Sequence, residues 1–197
     1  SNISLIGGET AEMPGLYKKN DFDIAGFCVG IAEKKELLPK KNINKNDYII
    51  GIESTGLHSN GYSLVNHMLD KKKINLKDKI NNTLLGSLLI KPTRIYTDVL
   101  NIKNFKKIKG IANITGGGLT ENIPRIIPDN KNAVIDFRRI NMPKIFSYIQ
   151  EKGNIDNQEI LKVLNCGIGM ILIANKNDSD NIIKDLKKIK MNARVIG

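Results

Sequence analysis

Residues 48–69 read YIIGIESTGLHSNGYSLVNHML, and this stretch decides the fold that we expect. Its first part, residues 48–52, is an apolar run around one glycine, which is typical of a buried strand. In residues 61–69 the apolar side chains Leu64, Val65 and Met68 share one face, which predicts a helix. A strand, a glycine turn and a helix in succession indicate a layered domain that contains both types of element.

The rest of the chain repeats this alternation. The apolar patterns predict further strands at residues 22–31, 133–137, 169–174 and 194–196. They predict further helices at residues 93–100, 119–127, 142–152, 157–164 and 178–189. We therefore expect an α+β fold, a layered α/β/α domain with a mixed sheet. The polar stretch 33–47, which contains Pro39, predicts a linker, so we divide the chain into residues 1–38 and 39–197.

Composition narrows the functional classes. The chain has 197 residues, 41% of them hydrophobic, and no apolar run approaches the roughly 18 residues of a membrane span. The first residues lack the pattern of a signal peptide, so we expect a cytoplasmic protein. Cys28 and Cys166 lie far apart without metal-type spacing, and we expect both to be reduced and buried.

The formal net charge is +11, which would suit nucleic acid or an anionic metabolite as a partner. The lysines are scattered along the chain, and no aromatic residues alternate with them as a stacking platform would require. We therefore expect no nucleic-acid partner. A nucleic-acid-binding protein remains a minor hypothesis that the charge alone supports.

The first of three glycine turns is residues 7–15, GGETAEMPG. Gly7 and Gly8 let backbone N–H groups approach a phosphate closely, and Thr10 adds a hydroxyl donor. The carboxylates of Glu9 and Glu12 could hold a divalent cation that bridges phosphates. The alternative is an ordinary turn with acidic side chains on the surface.

The second turn is residues 56–63, GLHSNGYS. Ser59, Asn60 and Gly61 all favour a helix start, where free N–H groups attract anions. His58 would lie at the tip and could donate to a phosphate or transfer a proton. The alternative is that Ser59 or Asn60 merely caps the helix and His58 is solvated.

The third turn is residues 115–118, Thr115 followed by three glycines, ahead of a predicted helix. Such a backbone suits wrapping around an anionic ligand. Arg125 lies further along, and we expect it to pair with Glu121 on the helix surface rather than to clamp a phosphate. Three such turns in one chain favour a phosphorylated ligand, and none has the spacing of a Walker-type loop.

In their order along the chain, these motifs resemble those of the phosphoribosylformylglycinamidine cyclo-ligases. The resemblance rests on residues 5–17, 23–30, 56–65, 92–96, 114–125 and 165–170. It implies an AIR synthetase-type C-terminal domain at residues 39–197, and it implies that residues 1–38 are the end of an N-terminal ATP-binding domain plus a linker. It also implies a cytoplasmic homodimer.

The resemblance implies a ligase that forms a C–N bond with ATP and Mg²⁺. Its substrate would be formylglycinamidine ribonucleotide, and its product aminoimidazole ribonucleotide, in purine biosynthesis. Phosphorylation would activate the formyl oxygen, and the amidine nitrogen would then attack that carbon. Such a site must neutralise phosphoryl charge and orient two groups of one molecule.

The implied site residues fall into three groups. The catalytic group is His58, Asn60 and Asn113. The metal group is Glu9 and Glu12. The substrate- and phosphate-binding group is Gly7, Gly8, Glu9, Thr10, Ser59, Gly61, Thr115, Gly116, Gly117 and Gly118. Asn113 stands where the family usually has a histidine, and an asparagine cannot titrate near neutrality.

We expect the chain to be a fragment, because its first residues resemble a segment from the middle of the cyclo-ligase sequences. Isolated, the fragment should be inactive. The alternative is a subunit that binds a phosphorylated ligand and needs a separate N-terminal ATP-binding chain.

Overall fold

Residues 3–197 are described by a computed structural model, and they divide into two units, one ending at Leu37 and the other spanning Leu38–Gly197. In the first unit the described residues have little regular structure. It contains a bridge between Pro14 and Tyr17 and one 3₁₀ turn, Lys34–Glu36.

The predicted strand at residues 22–31 is wrong. These residues pair with no other strand among those described, and their large apolar side chains are exposed, from Val29 at 77% to Ile31 at 100%. An apolar pattern does not form a strand unless a neighbouring strand supplies the hydrogen bonds. Cys28 is likewise exposed, contrary to expectation, whereas Cys166 is buried as predicted.

The second unit contains the regular elements. Its strands are β1 Tyr48–Glu53, β2 Lys79–Ile80, β3 Thr83–Leu84, β4 Ile108–Asn113, β5 Ile168–Ala174 and β6 Ala193–Val195. Its α-helices are α1 Tyr62–Asp70, α2 Leu85–Leu89, α3 Gly118–Asn122, α4 Lys144–Gly153, α5 Asn157–Val163 and α6 Lys176–Lys188. Shorter 3₁₀ turns lie at Lys40–Asn42, Thr97–Asn101, Phe105–Lys107 and Phe137–Arg139. The predictions of β1, β5, β6, α1, α4, α5 and α6 are confirmed, with shifts of a few residues at their ends.

Three other predictions are wrong in extent or type. The helix predicted at 119–127 ends at Asn122, because Pro124 lacks an N–H and its ring crowds the preceding turn. The helix predicted at 93–100 is only the 3₁₀ turn Thr97–Asn101. The strand predicted at 133–137 is absent; Asp136 donates one backbone bond to Ile196 and then caps a 3₁₀ turn.

The main sheet has the order β4-β5-β1-β6, and every neighbouring pair is antiparallel. The predicted mixed sheet is therefore wrong. β5 lies between β1 and β4, which run in the same direction, and β1 likewise separates β5 from β6. This is a split β-α-β arrangement, in which helical crossovers join strands that are parallel but not adjacent.

The two faces of this sheet carry separate apolar clusters, because side chains alternate along each strand. On one face Ile50, Ile52 and Leu172 pack with Ile182 and Leu186 of α6. On the other face lie side chains of β1 and β5 together with those of α3 and the residues after it, namely Ile49, Ile171, Ile173, Leu119 and Ile123.

A third cluster lies among helices. It joins α1, α2, α4 and α5 through buried side chains such as Val65, Leu85, Phe146 and Leu164. Leu164 lies four residues before β5 begins at Ile168, so this helical cluster ends close to the start of an inner strand of the sheet. That junction supports the loops described next.

Candidate functional site

The loops after β1 and β4 meet at one edge of the sheet. Glu53, the last residue of β1, lies opposite Ile168, and Asn113, the last of β4, lies opposite Met170. Both loops therefore leave the sheet beside the start of β5. Just beyond these strand ends, Ser54 N–H donates to the Gly167 carbonyl (2.8 Å), and Ile114 N–H donates to the Gly169 carbonyl (2.9 Å).

The turn after β1 and the glycine triplet after β4 are neighbours in space. A side chain added at Gly116 would lie 3.8 Å from the Oδ1 atom of Asn60. Ser59 and Thr115 are exposed, and Asn60 is half-buried. The second and third predicted glycine turns thus form one surface, although they are more than fifty residues apart in the chain.

His58 is not at an exposed tip. It is 5% exposed, and its backbone adopts a left-handed conformation with φ +60°. The backbone N–H of Thr55 donates to its Nε2 atom (3.0 Å), so that nitrogen carries no proton and the neutral ring bears its proton on Nδ1. Burial lowers the pKa of His58, and the positive charge of Arg94 lowers that pKa further. His58 therefore anchors the turn as a neutral side chain.

Tyr96 and the start of β5 enclose His58. The rings of His58 and Tyr96 have centroids 6.1 Å apart, and the Tyr96 hydroxyl donates to the Glu53 carbonyl (3.0 Å). Any side chain at Gly169 would collide with both rings. Burial raises the pKa of Tyr96, so its hydroxyl stays protonated. Tyr96 and Gly169 therefore pack tightly against His58 and leave no space beneath its ring.

Residues 92–96 form a third side of this surface, which sequence reasoning did not assign to the site. Thr93 and Ser59 are within hydrogen-bond distance through their hydroxyl oxygens (3.2 Å). Thr55 Oγ1 donates to the Pro92 carbonyl (2.7 Å). Arg94 is half-buried and donates through Nη1 to the Lys190 carbonyl (3.1 Å). The signal that the sequence offers for this segment, PTRIY, is its place in the resemblance.

The buried side chain of Asn122 holds the backbone of the glycine triplet, a role that the sequence does not predict. Asn122 is 4% exposed, and its Nδ2 donates to the carbonyls of Gly116 (3.1 Å) and Gly118 (2.8 Å). Its Oδ1 accepts from the hydroxyl of Thr115 (3.2 Å). Arg125 also contacts this oxygen (3.3 Å), so the expected pairing of Arg125 with Glu121 is replaced by a contact with Asn122.

Gly118 occupies a position that other residues cannot take. Its φ is +57°, and a Cβ atom there would collide with the carbonyl oxygens of Leu161 and Leu164 at the end of α5. Gly61, on the neighbouring turn, lies against the side chain of the same Leu164. The end of α5 therefore supports both loops.

Asn113 is exposed at the end of β4, beside the triplet. Its side chain can accept and donate hydrogen bonds, but it provides no group that titrates near neutrality. Because the Nε2 atom of His58 is engaged by the Thr55 amide, the groups that these loops expose are hydroxyls and carboxamides, which can donate and accept hydrogen bonds.

The first glycine turn belongs to the other unit. Gly7, Gly8, Glu9, Thr10 and Glu12 are exposed, and no atom approaches within 4 Å of where a Cβ would lie on Gly7 or Gly8. Across residues 3–197 no three or more His, Cys, Asp and Glu side chains cluster as metal ligands would. Mg²⁺ commonly takes one or two carboxylates plus substrate phosphates, so Glu9 and Glu12 suit such an ion in number.

The surface formed by these loops is open. A cavity of 870 Å³ lies at the other end of β1, beside Tyr48 and Gly197, and none of the predicted site residues lines it. No helix formed by residues 3–197 has the length and apolar character that crossing a bilayer requires.

The fold and the loops together define a domain of the AIR synthase class. Residues 44–197 match the family described as AIR synthase related protein, C-terminal domain, and the chain belongs to that family. This match covers the unit that carries the sheet and both shaped loops.

Two curated relatives carry the name phosphoribosylformylglycinamidine cyclo-ligase. The relative from Syntrophus aciditrophicus is 48% identical over 201 residues, and the one from Finegoldia magna is 43% identical over 198 residues. Each alignment covers 100% of this chain and 58% of the relative. The chain thus spans somewhat more than half the length of these relatives.

Proposed function

We propose that this chain supplies the substrate-side portion of an ATP-dependent cyclo-ligase. In this proposal the complete enzyme closes the imidazole ring of formylglycinamidine ribonucleotide to give aminoimidazole ribonucleotide, ADP and phosphate. The observation that carries the proposal is the meeting of the turn at 54–61 and the triplet at 115–118 at one sheet edge, in a chain of this family.

The chemistry of the joined loops suits a phosphorylated substrate. The hydroxyls of Ser59 and Thr93 and the amide of Asn60 line an open edge, beside Thr115, whose own hydroxyl proton is donated to Asn122. Such neutral donors make strong hydrogen bonds to charged phosphate oxygens. Because the loops are shaped from below before a ligand arrives, binding costs less ordering of the protein.

The remaining parts of the proposal concern the rest of the enzyme. Residues 1–38 would be the end of an ATP-binding domain, and residues 39–197 a layered α/β/α domain. ATP would supply the phosphoryl group, and Glu9 and Glu12 would hold Mg²⁺. The complete enzyme would be a cytoplasmic homodimer. The open site and the 58% coverage of the relatives support the view that other segments complete it.

The test combines this chain with the missing portion of a relative. The 197-residue chain is mixed with the separately expressed part of the Syntrophus aciditrophicus relative that lies outside the alignment. We expect ATP-dependent formation of aminoimidazole ribonucleotide from the mixture and none from either piece alone. Ring closure by the 197 residues alone would contradict the fragment proposal, and an inactive mixture beside an active intact relative would contradict the assignment.

A pair of serine variants then locates the substrate. Ser59→Ala removes a hydroxyl at the joined loops, whereas Ser147→Ala removes an exposed hydroxyl from α4. A lost hydrogen bond to a charged group is worth about 1.5–3 kcal/mol, so we expect KM to rise about tenfold or more for Ser59→Ala only. Equal KM values in the two variants would place the substrate elsewhere.

A further inference from the structure

Asn165 is a fully buried side chain beneath the candidate site, and each of its polar atoms is hydrogen-bonded. It is 0% exposed, and its Nδ2 donates to the carbonyls of Gly56 (2.9 Å) and Leu57 (3.0 Å). Its Oδ1 accepts from the backbone N–H of Gly167 (2.9 Å) and from the hydroxyl of Ser54 (3.1 Å). All the common hydrogen-bonding capacity of a carboxamide is used, two donors and two acceptor positions.

Three of these bonds hold residues 54–57, the part of the turn that immediately precedes His58. The Ser54 hydroxyl also lies 2.9 Å from the Gly56 carbonyl, so its single proton is shared between that oxygen and Asn165 Oδ1, and both contacts hold the start of the turn. Immediately after Leu57, the backbone of His58 takes its left-handed conformation, which is costly for a residue other than glycine. Such a conformation persists only where the surroundings fix it, and Asn165 supplies the bonds next to it.

Asn165 also follows the residue that supports the second loop. Leu164 packs against Gly61 with its side chain and lies under Gly118 with its carbonyl oxygen. A shift of the segment 164–165 would therefore move the turn at 54–61 and the triplet at 115–118 together.

We infer that Asn165 is a positioning residue of the candidate active site, because its buried carboxamide fixes the turn at 54–58 and thereby places His58 and Ser59. It touches no ligand itself. The inference rests on the proposed function only for the identity of the substrate that the turn contacts. The geometry of the turn, and its dependence on Asn165, are properties of the chain alone.

The test follows the two histidines of the chain, His58 and His67, by their Cε1–H resonances during a pH titration of wild type and Asn165→Ala. Arg94 and Tyr96 are the charged and titratable groups that face His58. When the turn loosens, water reaches the ring, so we expect the titration midpoint of His58 to move up towards the ordinary value of about 6.5. The resonance of His67, exposed on α1, serves as the internal reference.

Hydrogen exchange gives a second readout of the same turn. The Thr55 amide is bonded to His58 Nε2, and we expect its exchange to become about tenfold faster in Asn165→Ala. Asn66→Ala, at an exposed position on α1, is the matched control and should change neither readout. If Asn165→Ala does not fold, Ser54→Ala removes one of the four bonds and should move both readouts in the same direction by less.

A purely structural role for Asn165 gives a different pattern. The variant would then unfold at a lower temperature while the His58 midpoint and the Thr55 exchange stayed at their wild-type values, and this result would overturn the inference. Neither readout uses ATP or the nucleotide substrate. Failure of the ring-closure assay therefore leaves this test intact, and the converse also holds.

Discussion

Two glycine-rich segments of the chain, residues 7–15 and 115–118, are similar in composition and different in surroundings. Around Gly7 and Gly8 there is open space, and every residue of that segment is exposed. Around Gly118 the carbonyls of Leu161 and Leu164 leave no room for a Cβ, and Asn122 bonds to the triplet from below. Glycine permits an unusual backbone, but buried contacts are what select one.

The largest expected effect is a difference in unfolding free energy between two variants, each of which adds one methyl group to one of the segments. Gly118→Ala forces a Cβ into the end of α5 at a φ of +57°, and the strain and overpacking together should cost about 3 kcal/mol or more of unfolding free energy. Gly8→Ala meets open space and should change it by no more than about 0.5 kcal/mol. Urea denaturation of both variants and the wild type measures the difference.

Equal stability of these two variants would remove the contrast. If both variants kept nearly wild-type stability, the triplet would have to relax away from α5 to make room for the added methyl group. A loss of stability in Gly8→Ala similar to that in Gly118→Ala would show that the first segment has a fixed shape of its own.

Removing the Asn122 side chain, which supports the triplet, should reduce the unfolding free energy by less than Gly118→Ala does. Asn122→Ala leaves the carbonyls of Gly116 and Gly118 without their donor, and we expect it to cost about 2 kcal/mol. Asn66→Ala is again the control, because that side chain is exposed in a helix where alanine is favourable. Thermal or chemical unfolding that places the two variants together would show that the triplet keeps its shape without Asn122.

The smallest expected effect is a change in how the free energy of unfolding depends on pH. It arises from the buried His58 in the turn at 54–61, and a solvated segment would not show it. Burial, assisted by Arg94, lowers the pKa of His58, so below about pH 6.5 the unfolded chain binds this proton more readily than the folded chain. The stability present above that pH is therefore partly lost as the pH falls.

His58→Asn tests this dependence, because asparagine tolerates positive φ and does not titrate. We expect the free energy of unfolding to decline less in the variant than in the wild type between about pH 7.5 and pH 5.5. An identical decline in both proteins would show that His58 is not held neutral by the fold.

The sequence predicts the elements of this fold better than their arrangement. Strands β1 and β5 and helices α1, α5 and α6 follow from local apolar patterns, because each buries one face or one stripe. The antiparallel order of the sheet depends on β5 entering between β1 and β4, which no local pattern records. The short helix α2 has only five residues, too few for a helical period to be recognised.

The site shows the same division. Ser59, Asn60 and the triplet were predicted from their residue types, because exposed polar turns carry a local signal. The burial of His58 and the roles of Asn122 and Asn165 were missed. In the sequence, an asparagine that will be buried cannot be told from a polar surface residue. The hydrogen bonds of Asn165 to Gly56 and Leu57 join residues more than a hundred positions apart, so no local pattern records them.

The position of Asn113 has a consequence for how such a domain can change over time. It stands exposed on the rim, where the cyclo-ligases usually carry a histidine, whereas the groups that shape the loops lie underneath. Rim side chains can therefore be exchanged without deforming the backbone that presents them. Under the proposed function, libraries randomised at residues 60, 93 and 113 would therefore vary the ligand contacts and leave the buried supports of the loops in place.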